Sequence, residues 1–281
     1  MENILISNPE KLQEKIKKMK DGGFDKLHIL SDFDRSFTKC IVLGKKSSTS
    51  WAQFRNLDLF DEDYLKRSSE MFEHYRPIEI SIDISKEEKQ EKMKEWWEKH
   101  LELLVEKKLS REIINEVVER GGITLRDGAK NVFEFSKEKD VPLIFISSGL
   151  GDIVENVLKK EGVFYENISI VSNFFQFGED GLAHSFDNEL IINSQNKNEA
   201  YLEKLPIFDK IRLRKNIILV GDALEDIRML GDAENDIIIS IGFLNENVEE
   251  NLEIFKESFD VVITGDGEMN YIIELLDKIK A

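Results

Sequence analysis

The chain has 281 residues, 41% of them hydrophobic, with a formal net charge of −17. That apolar content supports one large α/β domain or a core carrying an inserted smaller one, and argues against disorder. The acidity argues against nucleic acid or an anionic membrane as partner.

A single cysteine, Cys40, excludes an intrachain disulfide, fits a reducing compartment and reads as a structural thiol. The N-terminal stretch lacks the basic, apolar and small-residue sections of a signal peptide. No run approaches the roughly 18 apolar residues of a membrane span. A soluble cytoplasmic protein is the expectation.

In chain order, residues 9–20 read as a helix with Leu12, Ile16 and Met19 at helical spacing, Asn8 as cap and Pro9 in the first position. Gly22-Gly23 ends it, and a strand over about 26–31 delivers Asp32. From about 43 to 124 no buried strand of parallel-sheet type is expected, and long charged helical patterns take over. Ser85-Lys86-Glu87-Glu88 has the form of a capping box. It opens a helix carrying Met93, Trp96, Trp97, His100, Leu101 and Leu104 at spacings of three and four. Ser110 is placed to cap another helix, closed by Gly121-Gly122.

Alternation of strand and helix then resumes. Residues 127–138 read as helix, 141–146 as a short apolar strand ending at Ser147-Ser148-Gly149, and 151–160 as helix. Ile168–Ser172 is the next strand, and Gly178-Glu179-Asp180-Gly181 marks a hairpin turn. Residues 195–204 read as helix, Asn216–Val220 as a strand ending at Gly221-Asp222, and a helix begins near Glu225. Strands at Ile237–Ile241 and Val261–Thr264 and a helix over 268–280 complete the chain. Continuous Val/Ile/Leu strands between helices imply a parallel sheet covered on both faces.

In such sheets the site lies beyond the carboxyl ends of the strands. The first strand delivers Asp32 and Asp34, the second Ser147, Ser148 and Gly149, and a later one Asp222, with Asp226 one helical turn on. Carboxylates crowded together repel unless a cation joins them. An all-oxygen acidic set suits Mg²⁺, which keeps several waters and leaves room for a phosphate oxygen. Lys197, in NSQNKNE, offers a point charge to the same phosphate, Ser147 a hydroxyl, and Ser148 and Gly149 backbone N–H groups ahead of a helix. Each element alone has a plainer use as turn or cap. Their order at successive strand ends points to phosphoryl chemistry. Only four histidines occur, without metal-binding spacing.

This order of motifs resembles the haloacid dehalogenase superfamily of phosphatases: DxDx(T/S), a strand-end Ser/Thr, Lys, then GDxxxD. Here they read Asp32-Phe33-Asp34-Arg35-Ser36, Ser147, Lys197 and Gly221-Asp222-Ala223-Leu224-Glu225-Asp226. The segments HYRPIEISIDISKEEKQEKMKEWWEKH, ISSGLGDIVENVL, VSNFFQFGEDGL and GDALEDIRML are similar to the cytosolic pyrimidine 5′-nucleotidase family.

The resemblance implies a Rossmann-like doubly wound α/β core over residues 1–42 and 125–281, with an inserted α-helical cap over 43–124 that sets substrate specificity. It implies Asp32 as nucleophile and Mg²⁺ ligand, and Asp34 as general acid and base giving its backbone carbonyl to the metal. Asp222 becomes a third ligand and Asp226 a support of the metal's water shell. Ser147, Ser148, Gly149 and Lys197 hold the phosphate, and Glu79, in PIEI, contacts the base. His100 falls where some relatives place a base-contacting serine, Ser148 where relatives often have alanine, and Glu225 where glycine is usual. The implied reaction is Mg²⁺-dependent hydrolysis of nucleoside 5′-monophosphates, UMP or CMP first, through an aspartyl phosphate. The alternatives are a phosphatase of another small phosphometabolite and, in a different class, a phospho-accepting signalling domain. The expected partner is a small nucleotide, with oligomeric state left open.

Overall fold

The computed structural model describes residues 3–81, 83–189, 191–197, 202, 206–231 and 235–280. Strand β1 (Ile4–Ile6) leads into helix α1 (Pro9–Gly22). Asn8 accepts the Lys11 N–H at 3.0 Å, Pro9 gives up an N–H that would be unpaired there, and Leu12, Ile16 and Met19 form the buried stripe. Strand β2 (Leu27–Ser31) is buried along its whole length.

A hairpin that the sequence did not announce follows, β3 (Ile41–Val42) and β4 (Lys45–Lys46). Its turn places Leu43 (φ 51°) and Gly44 (φ 74°) in the left-handed region, as a two-residue turn with the twist of a hairpin requires. Four helices come next: α2 (Ser50–Asn56), α3 (Glu62–Ile80), α4 (Lys86–Glu106) and α5 (Arg111–Arg120). Asp61, Ser85 and Ser110 cap the last three with their side chains. Pro77 sits inside the last turn of α3.

The remaining elements are α6 (Ala129–Glu138), β5 (Leu143–Leu150), α7 (Gly151–Lys160), β6 (Ile168–Asn173), the hairpin β7 (Phe175–Phe177) and β8 (Ala183–Phe186), and the short α8 (Phe208–Ile211). Strand β9 (Asn216–Gly221), β10 (Ile237–Leu244), α9 (Val248–Ser258), β11 (Val261–Thr264) and α10 (Asn270–Ile279) follow. The expected helix near Glu225 is a 3₁₀ segment, Leu224–Leu230. Most of the helix expected over 195–204 lies outside the described residues, and 194–196 form a turn. Helix α9 and the edge strand β1 were not expected.

One seven-stranded sheet runs β1-β11-β10-β9-β2-β5-β6. All neighbours are parallel except β1, which pairs antiparallel with β11. Successive residues of each inner strand feed opposite faces. Ile29, Phe145 and Ile218 join one large cluster with α1, α6 and α10, while Leu30, Ile144 and Leu219 join a second with Ile192, Ile211 and Met229. Both faces being covered explains why the strands read as unbroken apolar runs.

From β2 the chain steps outward to β5 and β6, then returns to β9 on the other side of β2. The switch point therefore lies at the carboxyl ends of β2, β5 and β9, where a crevice opens. Among the described residues no helix is long and apolar enough to cross a membrane.

Candidate active site

Asp32 follows β2 and is held by its N–H to the Val220 carbonyl at 3.0 Å. The turn after it is tight. Arg35 takes φ 62° and its N–H donates to Thr38 Oγ1 at 2.8 Å. Ser36, the hydroxyl expected from the DxDx(T/S) pattern, is buried with its Oγ unpartnered among the described residues, so Thr38 holds this turn.

Arg126, absent from the sequence reading, braces the same turn. Its side chain is fully buried over the Phe243 ring. It donates to the Ser36 carbonyl (2.7 Å), Asp266 (2.9 Å), the Gly267 carbonyl (2.8 Å) and Asn245 (2.6 Å), and also to the Arg35 carbonyl. A planar guanidinium with five donors is the one side chain able to satisfy this fan of acceptors.

Lys197 reaches in from the loop beyond the β7–β8 hairpin. Its Nζ donates to Asp32 Oδ1 at 2.6 Å and to Asp226 Oδ1 at 3.1 Å, with all three side chains buried. The other oxygen of Asp226 accepts the N–H groups of Asp222 (2.9 Å) and Ala223 (3.0 Å), which fixes the loop after β9. Burial alone would lower the Lys197 pKa, but Asp226 and Asp32 outweigh it and hold the ammonium charged.

One cation does not balance this set. Oxygens of Asp32, Asp222 and Asp226 lie within 4.8 Å of one another. The Asp222 carboxylate has no hydrogen bond or ion pair among the described residues, although its backbone is pinned. Burial, with Asp226 and Asp32 beside it, pushes the Asp222 pKa well up. Burial, opposed by Lys197 and reinforced by Asp226, raises that of Asp32 to about 7. A hard divalent cation fits such a site: all donors are oxygen and uncompensated negative charge is drawn together out of water.

The Asp34 carboxylate stands outside this trio. Its Oδ2 accepts both the N–H and the Oγ of Ser50, each at 3.2 Å, from the start of α2. Burial raises its pKa while these two donors hold it down.

Ser147, Ser148 and Gly149 lie inside the end of β5, which runs further than the apolar pattern indicated. Ser147 Oγ accepts the Gly149 N–H at 3.1 Å. The Ser148 carbonyl accepts Trp51 Nε1 (2.8 Å), Trp97 Nε1 (2.7 Å) and Asn173 Nδ2 (3.2 Å), tying α2 and α4 to the sheet. A β-carbon at Gly149 would collide with Ser50 Oγ, so only glycine lets α2 come this close.

These groups form the floor of a cavity of about 550 Å³. Its far wall comes from α2, α3 and α4 and carries Arg55, Phe72, Arg76, Glu79, Trp96 and His100. Glu79 is paired with Arg76 one turn back on α3. His100 is buried, its ring tilted against that of Trp51 at 4.7 Å and bonded through Nε2 to Tyr64 Oη at 3.0 Å. Burial lowers its pKa to about 3, so it faces the cavity as a neutral ring. Tyr75 lies behind Trp96, stacked on it at 5.7 Å. Asp32, Asp34, Glu79, His100, Ser147, Ser148, Gly149, Lys197 and Asp222 thus line this cavity, with Asp226 directly against its floor, whereas Ser36, Tyr75 and Glu225 do not line it. Ser50, Arg55, Arg76 and Arg126 carried no motif of their own.

A profile of the family described as pyrimidine 5′-nucleotidase (UMPH-1) matches residues 35–280. The chain belongs to this family. The 7-methylguanosine phosphate-specific 5′-nucleotidase A of Xenopus laevis is 34% identical over all of this chain and 97% of its own length. The human 7-methylguanosine phosphate-specific 5′-nucleotidase is 34% identical over 98% of this chain and 92% of its own. A crystal structure of cytosolic 5′-nucleotidase IIIB bound to cytidine superposes with a TM-score of 0.87 at 30% identity, covering 99% and 93% of the two chains. A substrate-bound phosphoserine phosphatase, at 19% identity and a TM-score of 0.53 over 88% and 96%, shares the haloacid dehalogenase fold. As a family member the protein is a phosphoric monoester hydrolase of the 5′-nucleotidase class.

Proposed function

We propose that the protein hydrolyses pyrimidine nucleoside 5′-monophosphates in the cytoplasm, with Mg²⁺ and through an aspartyl phosphate on Asp32. The observation that carries the reading is the pairing of Lys197 with Asp32 and Asp226 beneath a cavity whose opposite wall is aromatic. The metal would be held by Asp32, Asp222 and the Asp34 carbonyl, with Asp226 supporting it from behind. When bound, Mg²⁺ supplies positive charge against the phosphoryl oxygens and the crowded carboxylates.

Asp32 attacks phosphorus in line, and Lys197 turns part of its charge to the equatorial oxygens. Asp34 gives its proton to the departing 5′-oxygen and takes one from the water that cleaves the aspartyl phosphate. Its raised pKa suits both duties, and Ser50 aims the carboxylate. Ser147 and the N–H groups near Gly149 orient the phosphate. Residues 43–124 serve as the cap: its helices exclude water and offer Phe72, Trp96 and Glu79 to the base, with neutral His100 at the edge.

The relatives' names favour a second substrate, 7-methylguanosine monophosphate. The test is phosphate release from UMP, CMP, GMP, 7-methylguanosine monophosphate and sugar phosphates, with Mg²⁺ or with chelator. Turnover of the nucleotides with Mg²⁺ and its loss with chelator are expected. Faster release from a sugar phosphate, or undiminished turnover in chelator, would overturn the reading.

A further inference from the structure

The two ends of the cavity differ in charge. Its charged lining residues are Asp32, Asp34, Asp222, Lys197 and Arg35 around the floor, Lys46 on the β3–β4 hairpin, and Arg55, Arg76 and Glu79 on the helical wall. Lys46 is neutralised by Glu246 outside the cavity.

On the wall, Phe72, Arg76 and Glu79 follow one another at i, i+4 and i+7, and so share one face of α3. Arg76 Nη1 pairs with Glu79 Oε2. Arg55, from α2, lies 4.7 Å over the Phe72 ring and donates to the Ser68 carbonyl at 3.4 Å. No carboxylate pairs with Arg55 among the described residues. The wall therefore carries two guanidinium groups against one carboxylate, and that carboxylate is already shared.

We propose that Arg76, reinforced by Arg55, is a specificity-determining residue that biases this site against positively charged bases. The proposal rests on the reading that the helical wall receives the base. Methylation of guanine at N7 gives the base a positive charge at little change in shape. A lone Glu79 would attract that cation, whereas the Arg76–Glu79 pair, with Arg55 nearby, opposes it. A neutral base loses nothing by this. It can stack on Phe72 and Trp96, take hydrogen bonds from guanidinium N–H groups through its carbonyls, and donate to the remaining Glu79 lone pairs. The chain is thereby set toward neutral bases, whatever its relatives prefer.

The experiment compares kcat/KM for 7-methylguanosine monophosphate with that for GMP, in the wild type and in Arg76→Gln and Arg76→Lys. Arg76 is about half exposed, so both variants should fold. The methylated-to-unmethylated ratio is expected to rise about fivefold in Arg76→Gln, the upper worth of one half-exposed charge interaction. It should stay within about twofold of wild type in Arg76→Lys, which keeps the charge. Added salt should raise the wild-type ratio and leave that of Arg76→Gln nearly flat. An unchanged ratio in Arg76→Gln, or an equal rise in Arg76→Lys, would overturn the proposal. Failure of the wild type to release phosphate from any nucleotide would instead sink the proposed function beneath it.

Discussion

The floor and the far wall of the cavity are built on opposite terms. At the floor, Lys197, Asp32 and Asp226 are buried and locked by charge-assisted hydrogen bonds; Asp32 follows the end of β2, Asp226 sits in the 3₁₀ segment after β9, and Lys197 comes from the loop beyond the β7–β8 hairpin. At the wall, Arg55, Arg76, Glu79, Phe72 and Trp96 project from helices, and the groups nearest solvent carry most of the charge. The floor is rigid because a buried charge without its partner is costly, by about 3–5 kcal/mol. The wall tolerates variation because each of its interactions is worth about 1.5 kcal/mol or less. On the proposed reading, one fold can thus keep its chemistry while changing the leaving group it accepts.

The comparison predicts a hierarchy of effects. The largest is at the floor: Asp32→Asn should lower kcat at least about 10³-fold, as loss of a nucleophile does. The variant should remain folded, with a thermal midpoint in chelator close to that of wild type, because Asp226 still pairs with Lys197 and burial disfavours the lost Asp32 charge. Residual turnover near wild type would remove Asp32 from the nucleophile's role. A midpoint many degrees lower would show that the floor holds the fold as well as the chemistry.

At the wall the effect should be smaller and selective. Glu79→Ala is expected to raise KM for nucleotides about tenfold, the worth of a hydrogen bond to a charged acceptor, and to shift KM for p-nitrophenyl phosphate far less. Equal shifts would place Glu79 in the structure of α3 and not in base recognition.

A further effect concerns stability and leaves turnover aside: on the wall, His100 packs against Trp51. Its folded pKa, lowered to about 3 by burial, lies below the unfolded value of 6.5. The neutral ring therefore contributes stability that is complete above pH 6.5 and drains as pH falls toward 3, by about 1.4 kcal/mol per unit. His28, lowered to about 4 by burial, acts in the same sense and is retained in a His100→Gln variant. The difference in unfolding free energy between wild type and His100→Gln should therefore shift in favour of the variant as pH goes from 6.5 to 4.5. A constant difference would mean that His100 titrates in the fold as it does in the unfolded chain.

The chemistry was legible because strand ends in a parallel sheet leave few choices. Once β2, β5 and β9 are recognised as apolar runs, Asp32, Ser147 and Asp222 must emerge on one edge, and periodicity suffices to say so. Helix starts were equally readable where a local cap declares them, as at Asn8, Ser85 and Ser110. Helix α3 was not delimited because Pro77 interrupts its pattern near the end, and β1 because three residues at an edge carry no period of their own.

By itself the sequence determined the order of the six parallel strands and which carboxylates, lysine and hydroxyl meet at the switch point. These follow from local patterns repeated along the chain. Only the tertiary structure decided that Ser50 aims Asp34, that Arg126 gathers five acceptors around the turn after Asp32, and that Arg55 lies over Phe72 on the helix where Arg76 pairs with Glu79. Those contacts join residues on different elements, or set the rotation of one helix against another. Hydrophobic spacing fixes which face of a helix is buried but is silent on which charged neighbours the packing brings to its rim.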